Sequence, residues 1–128
     1  MSTYLTLDDV LGIHQDSVEA FGGSHGIRDR DGLEAAVMRP QSGYYSGAIS
    51  EAAALWESLS QNHPFVDGNK RTAIASMAAH LAINGYWLRV EELEAYRFLT
   101  DLYTSRRFRM SELEAWLRTH AASGSFGR

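Results

Sequence analysis

Residues 68–83, GNKRTAIASMAAHLAI, carry alanine at 73, 75, 78, 79 and 82. At about 100° per residue these positions fall on several faces of a helix rather than on one stripe. A helix that is small all round cannot rest on a single partner. Other helices can approach it closely from several directions, so it belongs at the centre of a helical domain. Asn84-Gly85 supplies a stop. The chain is therefore expected to be all-α, with about six helices around this Ala-rich one.

The rest of the sequence fits that arrangement. Thr6 can cap a first helix with Leu7, Val10, Leu11, His14, Val18 and Phe21 at helical spacing, ended by Gly22-Gly23. Asp31 with Glu34 reads as a capping box for a short second helix, DGLEAAVM, stopped by Pro40. RPQSGYYSGA then reads as a loop or small hairpin. Ser50 can cap a third helix with Ala52, Leu55, Trp56 and Leu59 on one face. After the central helix, YWLRV reads as an extended link, residues 91–104 as a fifth helix, and Ser111 with Glu114 as the capping box of a sixth. The sixth buries Leu113, Trp116, Leu117 and His120. The closing AASGSFGR is expected to fray. At 128 residues the chain suits one domain, residues 1–122, with a flexible tail at 123–128.

Composition excludes some classes of function. With no cysteine, the chain has no disulfides and no thiolate metal sites. No apolar run reaches the ~20 residues of a membrane span, and MSTYLTLDDV has no secretory pattern, so a cytoplasmic protein with no membrane partner is expected. A net charge of −4 argues against a broad nucleic-acid footprint, and no direct nucleic-acid partner is expected.

The chemistry concentrates in QNHPFVDGNKRTA, residues 61–73, which leads into the central helix. Pro64 stiffens a loop that Phe65 can plug into the core. Asp67 and Gly68 open the helix, where the first N–H groups lack intrahelical partners and the macrodipole is positive. Such an end binds phosphate. Gly68 lets a ligand approach the backbone. Lys70 adds a point charge and Arg71 a planar fork. Asp67 is the hard oxygen ligand that Mg²⁺ takes alongside substrate phosphates. Histidine, here His63, suits proton removal from a hydroxyl near neutral pH. Together they are the parts for moving a nucleotide-derived group onto a hydroxyl. Each has a plainer reading alone: His63 as a structural residue before proline, Asp67 as an N-cap, Lys70 and Arg71 as solvated charges.

HPFVDGNKRTA resembles the signature of the Fic/Doc superfamily, and in particular its Doc-type (death-on-curing) toxins. The similarity extends through YLTLDDVLGIH…SVEAFGG, GIRDRDGLEAAVMRPQSGYYSG and ELEAWL, over about residues 4–119. The resemblance implies a Fic fold with His63 as catalytic base, Phe65 as loop anchor and Asp67 as the Mg²⁺ ligand. Gly68, Asn69, Lys70 and Arg71 would bind nucleotide phosphates. Most superfamily members are adenylyltransferases with glycine in place of Lys70 and a second arginine in place of Ile74. This sequence shares the Doc-type departure at both. The implied activity is ATP-dependent phosphorylation of elongation factor Tu by a toxin of a toxin–antitoxin pair, arresting translation. The implied inhibitor is a Phd-type antitoxin. The internal inhibitory motif of self-inhibited relatives, Ser or Thr with Glu-Gly or Glu-Asn beginning four residues on, is absent from the sequence. Adenylyl transfer and a non-catalytic helical module that keeps the motif as an anion site are the alternatives.

Elsewhere, His14 reads as a hydrogen-bonded core histidine. His25, His80 and His120 have no constellation around them in the sequence. SRRFRM, residues 105–110, reads as an inter-helix surface more readily than a nucleic-acid patch. Tyr44 and Tyr45 in SGYYSG read either as a structural loop or, on the resemblance, as a flap that docks a target segment by strand-like pairing.

Overall fold

The computed structural model describes residues 2–123. Within them lie six α-helices: α1 Leu7–Phe21, α2 Arg30–Met38, α3 Ala48–Asn62, α4 Asn69–Ile83, α5 Glu92–Thr104 and α6 Met110–His120. Two short strands, β1 Tyr86–Leu88 and β2 Ala121–Ser123, pair antiparallel with Tyr86 opposite Ser123. The all-α expectation holds, and α4 is the hub, packed against α1, α3, α5 and β1. Its Ala73, Ile74, Met77 and Leu81 are buried with Trp56, Leu59, Leu99 and Leu117 of neighbouring helices. Ala75, Ala78, Ala79 and Ala82 instead line an open groove against β1 and the start of α5, so one face of the hub stays uncovered.

Local signals decide most helix ends, with four departures. Thr6 and Asp9 form a reciprocal capping box on α1. The cap of α2 is Asp29, whose side chain accepts from Gly32 N–H at 2.9 Å, and Asp31 lies inside the first turn. Both are acids that can cap a helix start, and the sequence alone does not rank them. α3 starts at Ala48 after Gly47, and Ser50 sits inside it, donating to Glu114 at 2.9 Å. α6 starts at Met110, so Ser111 is not its cap, and Glu114 turns to Ser50 and Arg118. Phe21 leaves the core side of α1 and is 64% exposed.

Residues 86–88 are more than a link, because β2 supplies their hydrogen-bond partner. Ala121–Ser123 are thereby paired rather than frayed, and the remainder of the expected tail, 124–128, lies outside the described residues. Residues 42–47 contain no strand, so of the two readings of this stretch, loop or small hairpin, the loop is the one that forms.

Candidate active site

α3 ends at His63, which adopts a left-handed conformation (φ 47°, ψ 55°). A non-glycine residue there costs about 1 kcal/mol and needs its surroundings to hold it. The surroundings do so. Immediately after it, Pro64 is buried and Phe65 is 1% exposed. The Phe65 ring stacks flat on His14, centroids 3.8 Å apart and planes 6° apart. Asn69 closes the loop on itself: its side-chain oxygen accepts from Phe65 N–H at 2.9 Å and its amide donates to Phe65 C=O at 3.0 Å. With the backbone fixed on both sides, His63 itself stays exposed.

A second segment, residues 23–29, is strapped along this loop. Arg28 donates through Nε to His63 C=O at 2.7 Å and through Nη2 to Asn62 C=O at 2.8 Å. The N–H groups of Arg28 and Asp29 both donate to Pro64 C=O, and Val66 N–H donates to Gly26 C=O. Asp67 is held at both ends: its carboxylate accepts from Ser24 N–H at 2.9 Å, and its carbonyl accepts from His14 Nε2 at 2.8 Å. Close approach here requires Gly23, where an added Cβ would meet Asp67 Cβ at 3.2 Å in a backbone at φ 113°. Asp67 is therefore not the N-cap of α4, the plainer reading of that residue.

The N-cap is Gly68, at φ 78°, with no side-chain cap hydrogen bond. Its glycine is needed for that dihedral rather than for room, since an added Cβ would meet His14 and Val18 only at ordinary contact distance. The first N–H groups of α4 thus stand without intrahelical partners or a side-chain cap. Lys70 Nζ lies 5.0 Å from the centre of the Tyr103 ring. The Arg71 guanidinium lies between Phe21 and Tyr96, 4.0 and 4.6 Å from their centres. Neither cation has an ion pair among the described residues. Gly68, Lys70, Arg71, Ser17, Phe21 and Tyr96 line a cavity of 240 Å³ at this mouth. Asn69 lines up with the others in sequence, but its amide is oriented by Phe65, which leaves its second amide N–H and its backbone N–H for a ligand.

Mg²⁺ fits this donor set. Asp67 is exposed, and one of its oxygens is free of the Ser24 contact. Among the described residues no three His, Cys, Asp or Glu side chains converge as a metal cluster. An ion that shares substrate phosphates needs only one or two carboxylates.

The remaining candidates separate from this site. Tyr44 is 86% exposed, whereas Tyr45 is fixed through its hydroxyl, which accepts from Arg39 Nε. Arg39 also bonds Glu57 and Ser58 at 2.8 Å each, so one tyrosine is structural and the other is presented to solvent. His14 is a hydrogen-bonded core histidine as expected, and it supports the motif directly. His80 does have a constellation. It is 1% exposed, and its Nε2 donates to Glu51 Oε1 at 3.1 Å, while Tyr4 donates to the other Glu51 oxygen at 3.3 Å. Burial lowers its pKa, opposed by the Glu51 carboxylate. Glu51 lies 29 positions away, and no local pattern shows that pairing. His120 stacks on Trp116 at 4.3 Å. Of residues 105–110, 105–109 form the α5–α6 turn and Met110 opens α6, with Phe108 stacked on Tyr103 and Arg107 beside Glu112. Arg28 and Ser24 are structural members of the site that the sequence pattern does not single out; an isolated cation 35 positions from His63 carries no spacing signal.

A model of the Fic/DOC family matches residues 4–81, more than half of the chain. The Toxin Doc of Mycolicibacterium smegmatis is 38% identical over 133 residues, an alignment covering 99% of this chain and 100% of that protein. The chain belongs to the Fic/DOC family.

Proposed function

We propose that this Fic/DOC protein is the toxin of a toxin–antitoxin pair, a Mg-ATP-dependent kinase that phosphorylates a serine or threonine hydroxyl of elongation factor Tu in the cytoplasm. The observation that carries the reading is the mouth of α4. An uncapped helix start, two cations without ion pairs among the described residues, a carboxylate with a free oxygen and an exposed histidine meet where one braced loop enters α4. The name of the M. smegmatis relative supports the toxin role.

Within this reading the α4 N–H groups and Arg71 bind phosphate oxygens, and Lys70 leaves the Tyr103 face to neutralise charge on the departing group. Asp67 would hold Mg²⁺, which supplies charge neutralisation on the phosphates. His63 takes the proton of the acceptor hydroxyl as its oxygen bonds to the γ-phosphorus. The bond from that phosphorus to the β–γ bridging oxygen breaks, and ADP leaves. The strap through Arg28 fixes the His63 backbone, so the imidazole need not be reoriented at each turnover. Ile74 supports the γ-phosphate being the end that faces His63. It is buried and aliphatic, and gives no hydrogen bond to phosphates lying deeper along α4. Tyr44, exposed to solvent, is the proposed contact for a target segment. A Phd-type antitoxin is the proposed inhibitor.

The test is the intact mass of purified elongation factor Tu after incubation with the chain and Mg-ATP. A gain of one phosphate is expected. A gain of AMP would replace the reading with adenylyl transfer, and an unchanged mass would reduce the motif to an anion site. Expression of the chain alone should arrest growth, and co-expression of the cognate antitoxin should restore it.

A further inference from the structure

The buried stripe of α1 runs Val10, His14, Val18, two aliphatic residues with an imidazole between them. That imidazole is 4% exposed and meets the loop before α4 in two ways. Its face lies on Phe65, and its edge carries Nε2 to the Asp67 carbonyl at 2.8 Å. A carbonyl only accepts, so Nε2–H is the donor. The two contacts depend on each other. A ring N–H lies in the plane of the imidazole, and Phe65 holds that plane within 6° of its own. The stack therefore aims the donor at Asp67.

The consequence falls on the next amide. The Asp67–Gly68 peptide is trans, so its C=O and N–H point in opposite directions. With the C=O held on His14, the Gly68 N–H is turned away from His14, and it has no acceptor among the described residues. Gly68 is left-handed (φ 78°, ψ 19°) and Asn69 begins the helix. A left-handed residue next to a helical one gathers successive N–H groups on one concave side, an anion-binding nest. Here those groups are the N–H of Gly68, Asn69 and Lys70. The helix itself orients the last two. The first depends on a peptide that can turn over, because glycine on its C-terminal side offers little steric resistance.

We propose that His14 is a positioning residue for phosphate: it sets the Asp67–Gly68 peptide so that the Gly68 N–H joins those of Asn69 and Lys70 as a donor to the bound phosphate. This role rests on the phosphate-binding reading above and adds the residue that orients its first donor. His14 touches neither the phosphate nor the acceptor hydroxyl and acts through one peptide unit. Without a donor beneath it, the Asp67 carbonyl swings out to water and carries oxygen, rather than N–H, to the place where an anion sits. A lone pair facing phosphate repels it, so one peptide rotation changes a contact from attractive to repulsive.

Two substitutions separate the donor from the ring. His14→Phe keeps a flat ring on Phe65 and removes the donor. His14→Gln removes the ring and keeps an N–H donor of similar reach. Amide NMR of the full chain, titrated with inorganic tripolyphosphate in the absence of Mg²⁺ and of any target, reads the peptide directly. In the unmodified chain the N–H signals of Gly68, Asn69 and Lys70 should all move downfield. In His14→Phe the Gly68 signal should stop responding, and the tripolyphosphate Kd should rise about tenfold, the scale of one hydrogen bond to a charged group. His14→Gln should restore the Gly68 response, with Kd within about threefold of the parent. A purely structural histidine gives the opposite order, because Gln loses the stack: weaker binding by His14→Gln than by His14→Phe would overturn the proposal. An unchanged Gly68 response in His14→Phe would do the same. The unmodified chain is a test by itself if a variant fails to fold. Response of Asn69 and Lys70 without Gly68 overturns the positioning role and leaves the phosphate-binding reading standing. Response of none of the three removes that reading, and the role of His14 with it.

Discussion

The two ends of α4 dispose of their polar groups in opposite ways. At the C-terminal end the side chains of Asn84 and His80 are bonded inside the protein, with His80 Nδ1 left without a partner among the described residues. Asn84 accepts from Thr3 N–H at 2.7 Å and donates to the carbonyls of Thr3 and His80. One turn earlier His80 meets Glu51, which also receives Tyr4. At the N-terminal end Gly68 offers no side-chain cap, and Lys70 and Arg71 rest on aromatic faces instead of carboxylates. A helix can be closed at both ends with ordinary residues, and this one is closed at only one. The closed end holds the fold and the open end is available to a ligand. Residue type alone does not separate them, since each end has a histidine close to an acid.

That contrast can be broken experimentally. The largest effect is expected at the open end. His63→Ala should lower phosphoryl transfer about 10²–10⁴-fold, the range for loss of a general base. Because His63 is exposed, the urea midpoint should stay where it is. A transfer rate within about threefold of the parent would remove His63 from the chemistry. At the closed end Glu51→Ala should do the reverse. It strands the His80 Nε2–H and the Tyr4 hydroxyl, and stability should fall by about 2–4 kcal/mol. A loss below ~1 kcal/mol in urea unfolding would mean the buried pair contributes little to holding α4.

Arg28→Ala sharpens the comparison, because Arg28 braces the open end without touching a ligand. About a tenfold lower kcat is expected, with nucleotide affinity unchanged, since the backbones of Asn62 and His63 lose their anchor. Equal loss in kcat and in nucleotide affinity would show that the strap shapes the phosphate site instead. The smallest effect is pH dependence at the closed end. Burial holds the His80 pKa below the ordinary histidine value of ~6.5, with Glu51 opposing. The unfolded chain therefore takes up a proton that the folded one resists. Stability should be full above pH ~6.5 and decline as pH falls below it. His80→Gln should flatten that decline, and a slope unchanged by the substitution would assign it to other groups.

The motif residues were legible because their chemistry is local. His63, Pro64, Phe65, Asp67, Gly68, Lys70 and Arg71 lie within nine positions, and helix-start physics gives them a direction. The small residues of α4 likewise announced a helix approached from several sides. The brace was not legible. Arg28, Ser24 and His14 reach the loop across separations of 35, 43 and 53 positions, and no periodicity encodes a contact at that range. Helix starts divided along the same line. Thr6 with Asp9 form a box that local geometry completes. Ser50 and Glu114, each read as part of a separate cap, bond to one another across 64 positions. Of Asp29 and Asp31, only the path of the strap into α2 chose the cap.

By itself, then, the sequence determined the helical class, the central helix and the set of groups at its start, because each follows from hydrogen-bond geometry and side-chain size within a few turns. Only the tertiary structure decided which of those groups stay free. Whether a buried histidine meets a glutamate and whether an arginine finds a carboxylate or an aromatic face depend on what the other helices bring within about 4 Å, the reach of a hydrogen bond or an ion pair.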